Sequence, residues 1–472
     1  MSVGRTLDMT KGHPTRLLLR FAMPIFLGNL LQQCYNLVDT ALAGHMLGDA
    51  ALSEIGATAA LYSLITSFAF GFNSGMALLV SRFWGSGERE RMRRAVCWMV
   101  VLGTGVAALL TGGLLGVRRP LLSLLQTPPE VLPGALQYIT VILAGIPLTM
   151  AYNLESGLLR AVGNSMTPLL LLLCSTVLNV GLDVLFMGPL HMGVQGAAVA
   201  TVLAQGISAV GGLWYMWRRC PELHFGRRDW HPPRGFVSDM LLTGLSMAMM
   251  STIFSIGSVI LQGSINALGK AYIAAQVGGR RLVELFMMPG AALSTSMATY
   301  ASQNYGAGRR SRIAQGVKAA CVVYMLWWGL SMVFAFTIAP QAVRWVTGSR
   351  DVTIIRYALL YIQVSIPVFP PMGFLIIMRN ALQGMRHRVA PLLCSGLELQ
   401  QDLIRRPFPS SCPAAARLVF ALWLVPVWGY PAVCACEPVT WVICCLFMVG
   451  ATLLWRQEFR DNAVIAKKET EQ

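Results

Sequence analysis

Charged residues are scarce in this chain. Only 12% of its 472 residues are Asp, Glu, Lys or Arg, and just 21 of them are acidic. In soluble globular proteins about 25% of residues are charged, so the composition excludes that class. Hydrophobic residues make up 55% of the chain instead.

Metal-binding patterns are also missing. The eleven cysteines form no CxxC pair, and the six histidines are scattered in or near predicted loops. Most cysteines lie inside apolar segments, where core packing is the expected role. A membrane-embedded enzyme would need clustered ligands or a nucleophile motif, so we expect neither an enzyme nor a bound cofactor.

Apolar segments long enough to cross a bilayer recur along the whole chain. Backbone groups in lipid must be hydrogen-bonded internally, so the segments predict an all-α integral membrane protein with twelve transmembrane helices. We expect the first segment not to be a cleavable signal peptide, because it is long and contains Pro24 and Asp39. The segments centre on residues 17–40, 55–80, 95–117, 136–160, 168–188, 195–217, 240–264, 279–301, 316–339, 357–383, 390–426 and 432–455.

The net charge of +16 comes from Lys and Arg in alternate loops. Basic residues concentrate near the N-terminus, in the central loop and in the C-terminal tail. The positive-inside rule then predicts that both termini are cytoplasmic. The charge excess is therefore a topology signal, and we expect a lipid bilayer rather than nucleic acid as the partner.

An internal repeat relates the two halves of the chain. Met76 and Met297 are 221 residues apart, as are Gly85 and Gly306. The offset spans six helices, so the halves are predicted to be parallel repeats, as in secondary transporters. The predicted parts are an N-terminal lobe over 1–217, a cytoplasmic linker over 218–238, a C-terminal lobe over 239–455 and a cytoplasmic tail over 456–472.

The eleventh segment breaks this repeat. The offset is 223 between Pro168 and Pro391 but 236 between Gly193 and Gly429. The extra residues include a polar, proline-containing stretch at about 400–417, which could not be a lipid-facing helix. A genuine insertion and a sequence error both explain it, and a protein inactivated by this anomaly is a further alternative.

Two carboxylates lie within the predicted spans. Asp39 is near the end of the first segment, and Asp183 is four residues after Asn179, on the same helix face. Helix directions place both, and Thr201, in the outer half of the membrane. Acidic groups at membrane depth usually mark an ion or proton path. The alternatives are a helix-end polar residue for Asp39 and an interhelical hydrogen bond for Asp183.

Several motifs together resemble the multidrug and toxic compound extrusion (MATE) family of bacterial efflux transporters. They are Pro24, the run Tyr35–Thr40, the two Gly-x-Gly loops near Gly85 and Gly306, and Asn179 to Asp183. The resemblance covers almost the whole chain except about 400–417. It implies two six-helix lobes around a V-shaped cleft, in a monomer of the bacterial inner membrane.

The resemblance also implies a function. Such transporters expel cationic or amphipathic compounds, including xenobiotics, in exchange for protons or sodium ions. One branch of the family has its cation site in the N-terminal lobe. The other branch uses acids in its seventh and tenth helices, but here the seventh predicted segment (240–264) has no acid beyond Asp239 at its edge and the tenth (357–383) has none. Sodium would bind at Asp39, Asn179 and Asp183. The positions that match the site of the first branch are Asp39, Asn153, Asn179, Asp183 and Thr201.

The second half does not duplicate these acids. Its own deep acids, Glu284 and Glu437, could bind a substrate cation or pair with nearby arginines. Met287, Met288 and Phe254 could line a substrate cleft, although ordinary packing is the simpler interpretation. Pro24 is a candidate hinge in the first helix.

One functional rival is a lipid-linked oligosaccharide flippase of the same fold type. Such a protein would be expected to line its cleft with Arg or Lys, which here lie mostly in loops. The sequence leaves open the substrate, the choice between proton and sodium, and the conformational and oligomeric states.

Overall fold

The computed structural model describes residues 6–125, 127–348, 351–387 and 424–454. All regular secondary structure within these residues is helical. Short 3₁₀ turns follow α7 at Pro221–Leu223 and Arg227–Trp230, and another joins α12 to α13 at Ile366–Val368. The helices are α1 (Pro14–Leu47), α2 (Asp49–Ser86), α3 (Arg89–Leu124), α4 (Leu132–Ala144), α5 (Ile146–Ala161), α6 (Met166–Met187), α7 (Gly193–Arg219), α8 (Phe236–Leu268), α9 (Lys270–Gly306), α10 (Arg310–Thr337), α11 (Ala339–Thr347), α12 (Val352–Ser365), α13 (Phe369–Gly384), α14 (Val425–Trp428) and α15 (Tyr430–Leu454).

The helices confirm the predicted all-α membrane fold. Within the described ranges, nine helical spans are long and apolar enough to cross a bilayer, and α4 and α5, which meet at a bend of 46°, make a tenth if the pair is one span. The 37-residue α9 is less apolar, because it carries Arg280, Arg281 and Glu284. The eleventh predicted segment and the anomaly at about 400–417 lie outside the described residues, so the count of twelve stays a prediction.

Glycines with positive φ flank equivalent helices in the two halves of the chain. Gly48 precedes α2 with φ 83°, and Gly269 precedes α9 with φ 110°. Gly87 and Gly308 follow the same two helices with φ 76° and 71°. Residues with a side chain rarely adopt such angles. The 221-residue repeat is therefore a repeat of backbone conformation as well as of sequence.

The chain divides into two compact units. Unit 1 comprises residues Met1–Asp8 and Met23–Ser251, and unit 2 comprises Met9–Ala22 and Thr252–Gln472. The first helix of each half is shared, because α1 passes from unit 2 to unit 1 and α8 from unit 1 to unit 2. The lobe boundaries predicted from the sequence, in contrast, fall in loops, and they stay a prediction.

Within unit 1, the beginning of α8 packs closely on α2. A Cβ added at Gly75 would lie 2.5 Å from the carbonyl oxygen of Thr243, so only glycine allows this approach. Phe72 and Met76 beside it are fully buried. This packing agrees with the place of the beginning of α8 in unit 1.

Within unit 2, the beginning of α1 packs on the end of α9. The Ser296 hydroxyl donates to the Leu18 carbonyl at 3.1 Å, and Asn304 donates to the Met9 carbonyl at 3.0 Å. Ser296 is 221 residues after Gly75. Equivalent positions therefore form the two helix contacts, one by close approach and the other by hydrogen bonding.

Candidate cation site

The polar face of α6 holds two of the predicted residues. Its buried positions include Ser175, Asn179, Asp183 and Met187, spaced four residues apart. This spacing places them on one face, and that face packs on α7. Asn179 is 1% exposed and Asp183 is 0% exposed.

Asp39 of α1 contacts this face. Its carboxyl group faces that of Asp183, close enough for the two to interact directly. A hydrogen bond between two carboxyl groups needs a proton on one of them, because two carboxylates can only accept. The two acids are therefore placed to share one proton.

Thr201 of α7 completes the centre of the site. Its hydroxyl donates to the Ala197 carbonyl at 3.1 Å. Its oxygen accepts from the Asn179 amide at 3.5 Å and lies 3.4 Å from the Tyr35 hydroxyl. With its own proton donated to Ala197, Thr201 acts as the acceptor in both contacts.

A small cavity adjoins these residues. Its volume is about 30 Å³, enough for about two water molecules. Gln205 lies in its wall and accepts a 2.6 Å hydrogen bond from Thr149. Its side chain also interacts with that of Tyr62. The lining residues are Gln32, Tyr35, Tyr152, Leu172, Ser175, Thr176, Asn179, Thr201, Ala204 and Gln205.

Asn153 is related to this centre only indirectly, through Thr149. Its amide donates to the Thr149 carbonyl of its own helix at 2.9 Å. Thr149 in turn contacts Gln205 in the cavity wall. The structure thus brings Asp39, Asn179 and Asp183 together, with Thr201 beside them, while the role of Asn153 in coupling stays a prediction.

The sequence predicts no role for the individual tyrosines around the pair. Tyr35 precedes Asp39 by four residues, so helical spacing could have placed both on one face of α1. Tyr62 and Tyr138 come from α2 and α4, and both interact electrostatically with Asp39. No local pattern joins these two to Asp39, because only the packing of three helices does so.

The deep acids of unit 2 have basic or hydroxyl partners. Arg280 donates to Glu284 at 2.6 Å, and Tyr361 donates to Glu437 at 2.9 Å. Arg280 also interacts with Glu437. The Glu284 contact is an ion pair with an arginine, as in the second alternative, and a role of either acid in substrate binding stays a prediction.

The other cleft candidates of unit 2 are less informative. Met287 and Met288 are half-buried, as in ordinary packing. The side chain of Phe254 lies outside the described residues. Their role in a substrate cleft stays a prediction.

The donor set suits a monovalent cation or a proton. No three His, Cys, Asp or Glu side chains cluster as metal ligands in the part of the chain that the structure describes. Two carboxyl groups, an amide and a hydroxyl are hard oxygen ligands of the kind that sodium binds. A sodium ion would, however, compete for the Thr201 oxygen with the Tyr35 and Asn179 contacts, whereas a shared proton leaves them intact.

Membrane-spanning helices with buried acids at their contacts are typical of integral membrane transporters. The MatE family model matches the chain twice, over residues 24–185 and 246–399. The second match begins 222 residues after the first (246 against 24), in agreement with the internal repeat. The chain therefore belongs to the MatE family of multidrug efflux transporters, which carry small molecules and are not enzymes.

Individual relatives agree with this assignment. The chain is 30% identical to the "Probable multidrug resistance protein YpnP" of Bacillus subtilis (strain 168), over 65% of this chain and 68% of the relative. It is 25% identical to the "Probable multidrug resistance protein NorM" of Thermotoga maritima, over 81% and 82%. A solved structure of "MATE in the bent conformation" has a TM-score of 0.86 at 19% identity and covers 100% of both chains. This last likeness concerns the fold.

Proposed function

We propose that this protein is a secondary active antiporter of the bacterial inner membrane. It exports amphipathic, cationic small molecules in exchange for a cation that binds at Asp39 and Asp183. Both termini are cytoplasmic in this proposal, and the working unit is a monomer. The alternating distribution of basic loops supports the topology, and the names of its relatives support the multidrug substrate class.

The pairing of the Asp39 carboxyl group with the buried carboxyl group of Asp183 carries the proposal. With one proton, the pair bears one negative charge. Without it, two negative charges lie in contact, and their repulsion at about 4 Å is about 4 kcal/mol at an effective dielectric constant of 20. The protonation state of the pair therefore changes the energy of the contact between α1 and α6. A conformational change that separates these helices would couple proton release to transport.

Proton exchange is the form of coupling that the geometry supports best. Sodium is the second candidate, because the oxygen ligands of Asp39, Asp183 and Asn179 also suit that ion. The two ions make different predictions under separate gradients. A proton-coupled protein responds to a pH gradient in sodium-free buffer, and a sodium-coupled protein responds to a sodium gradient at equal pH.

The test is transport of a cationic dye into proteoliposomes under each gradient separately. We expect the unmodified protein to accumulate dye and Asp39→Asn to lose gradient-driven accumulation while still inserting into the membrane. Asp49→Asn is the matched control, because Asp49 is an exposed acid at the start of α2. Normal gradient-driven transport by the Asp39→Asn variant would refute the assignment of the site.

The flippase alternative gives a different outcome in the same vesicles. A lipid-linked sugar would move between leaflets, and no cationic dye would accumulate. The described acids and tyrosines around Asp39 do not form the cationic lining that a pyrophosphate group requires. Dye accumulation without lipid-linked sugar transfer would therefore favour the antiporter.

A further inference from the structure

Glu155 is a fully buried acid of unit 1 that has no role in the site described above. It lies on α5, and its side chain is 0% exposed. Neither of its carboxylate oxygens has a hydrogen-bond partner among the described residues. An ionised carboxylate without a partner is destabilised by several kcal/mol in such surroundings. A group in this position is therefore stable when a proton or another cation neutralises it.

The contact between α5 and α7 makes room for this side chain. The carboxyl group of Glu155 lies against Gly212 of α7, where an added methyl group would overlap it. On α5 itself, Tyr152 interacts electrostatically with Glu155. Tyr152 also lines the cavity that borders Asn179 and Thr201. Tyr152 therefore lies between Glu155 and the cavity of the cation site.

One face of α7 extends from the cation site to Glu155. Thr201, Gln205, Ser208 and Gly212 are separated by four, three and four residues, which places them on one helix face. Thr201 contacts the cation site, Gln205 lines the cavity and Gly212 contacts Glu155. The eleven residues from Thr201 to Gly212 correspond to roughly 16 Å along the helix axis. In the proposed topology α7 runs inward, so Glu155 lies on the cytoplasmic side of the acid pair.

The charged surroundings of Glu155 are sparse. On α5 and the helices packed against it, Tyr152 is the titratable side chain that interacts electrostatically with Glu155 in the described part of the chain. Arg160 of α5 interacts with Tyr152 and lies 5.7 Å from the Phe70 ring. Tyr215 of α7 accepts a hydrogen bond from Asn164. No described basic side chain therefore neutralises Glu155.

We propose that Glu155 is a second proton-binding group, on a polar path that joins the Asp39–Asp183 pair to the cytoplasmic side. A proton that leaves the pair passes along the cavity beside Gln205 and Tyr152 and binds a carboxylate oxygen of Glu155. That oxygen later releases the same proton towards the cytoplasm. Each step transfers one proton, and Glu155 returns to its ionised form at the end. This inference rests on the proposed antiport function.

The first test measures protonation without transport. Infrared difference spectra of the full chain in lipid bilayers, between mildly acidic and mildly alkaline pH, report the carbonyl band of protonated carboxyl groups. We expect a band that Glu155→Gln removes and that Glu54→Gln retains, because Glu54 is a half-buried acid of α2 outside this path. Glu155→Asp should retain a shifted band. Spectra of Glu155→Gln identical to those of the unmodified protein would overturn the proposal.

The second test measures proton-driven dye transport in proteoliposomes. Glutamine has the shape of a protonated glutamate, so we expect Glu155→Gln to insert normally and to transport about tenfold more slowly. Its rate should also depend less on the pH of the cytoplasmic side. Glu155→Asp should restore part of the rate, and Glu54→Gln should transport normally. A Glu155→Gln variant with an unchanged rate would overturn the proton path.

The two tests separate this inference from the antiport function. If the unmodified protein shows no gradient-driven transport, the antiport function fails, and the infrared band still decides whether Glu155 binds a proton. If transport is gradient-driven but the band survives Glu155→Gln, the antiport function stands and the second proton site fails.

Discussion

Unit 1 and unit 2 each bury acidic side chains, but the partners of these acids differ. In unit 1, Asp183 is paired with another carboxyl group, and Glu155 has no hydrogen-bond partner among the described residues. In unit 2, Glu437 accepts a hydrogen bond from Tyr361 and interacts with Arg280. The acids of unit 1 therefore become more stable when they bind a cation, whereas those of unit 2 are already compensated.

The largest expected effect separates the acids of the two units. Asp183→Asn leaves the pair without one of its two carboxyl groups, so we expect gradient-driven dye transport to fall about 100-fold or more. Glu437→Gln keeps an acceptor for Tyr361, and we expect a reduction of about threefold or less. The measurement is the initial rate in proteoliposomes at matched protein content. Equal losses for the two variants would mean that both units bind the coupling cation.

The second prediction concerns the helix that passes between the units. In α1 the change from unit 2 to unit 1 falls between Ala22 and Met23, and Pro24 follows directly. A proline inside a helix leaves one backbone hydrogen bond unmade and permits bending there. We therefore expect Pro24→Ala to slow dye–ion exchange about tenfold, because α1 becomes stiffer. Unchanged exchange rates in proteoliposomes would contradict a hinge at this position.

The third prediction compares the two equivalent helix contacts. Gly75→Ala pushes α8 away from α2 within unit 1, and we expect a loss of about 1–3 kcal/mol. Ser296→Ala removes the hydrogen bond to the Leu18 carbonyl within unit 2, with a loss of about 1 kcal/mol. Thermal unfolding in detergent would rank the variants by midpoint. Gly116→Ala is the control, because nothing lies within 4 Å of the added methyl group.

The smallest expected effect concerns the hydroxyl contacts beside the acid pair. Tyr35→Phe removes the contact to Thr201, and we expect the apparent affinity for the coupling cation to fall about threefold, which corresponds to less than 1 kcal/mol. Tyr272→Phe is the counterpart in unit 2, where it removes a contact to Tyr357. That variant should leave ion dependence unchanged. A larger effect of Tyr272→Phe would show that unit 2 also senses the ion.

The helical fold could be predicted from sequence because each span is a local property of about 20 residues. The bend between α4 and α5 was not predicted, although Gly145 and Pro147 mark its position. At the site, the shared face of Asn179 and Asp183 followed from their spacing. The interactions of Tyr62 and Tyr138 with Asp39 could not be predicted, because no sequence spacing relates three separate helices.

Glu155 shows the same limit most clearly. Its neighbours in sequence, Leu154 and Ser156, do not reveal whether it faces lipid, water or protein. Only the tertiary structure shows that Glu155 is buried against Gly212 of α7. It also shows that no described group hydrogen-bonds to Glu155. Glu155 is therefore missing from the predicted site residues, although it lies within the first predicted lobe.

The sequence by itself determined the membrane class, the repeat, the family and the shared face of Asn179 and Asp183, because hydropathy and helical period are local. Tertiary structure decided which acids meet. Packing places Asp39 beside Asp183 and Tyr361 within hydrogen-bond distance of Glu437. Glu155 has no described hydrogen-bond partner. The physical reason is that helical period determines which residues share a face, whereas packing determines which faces touch and which charges are compensated.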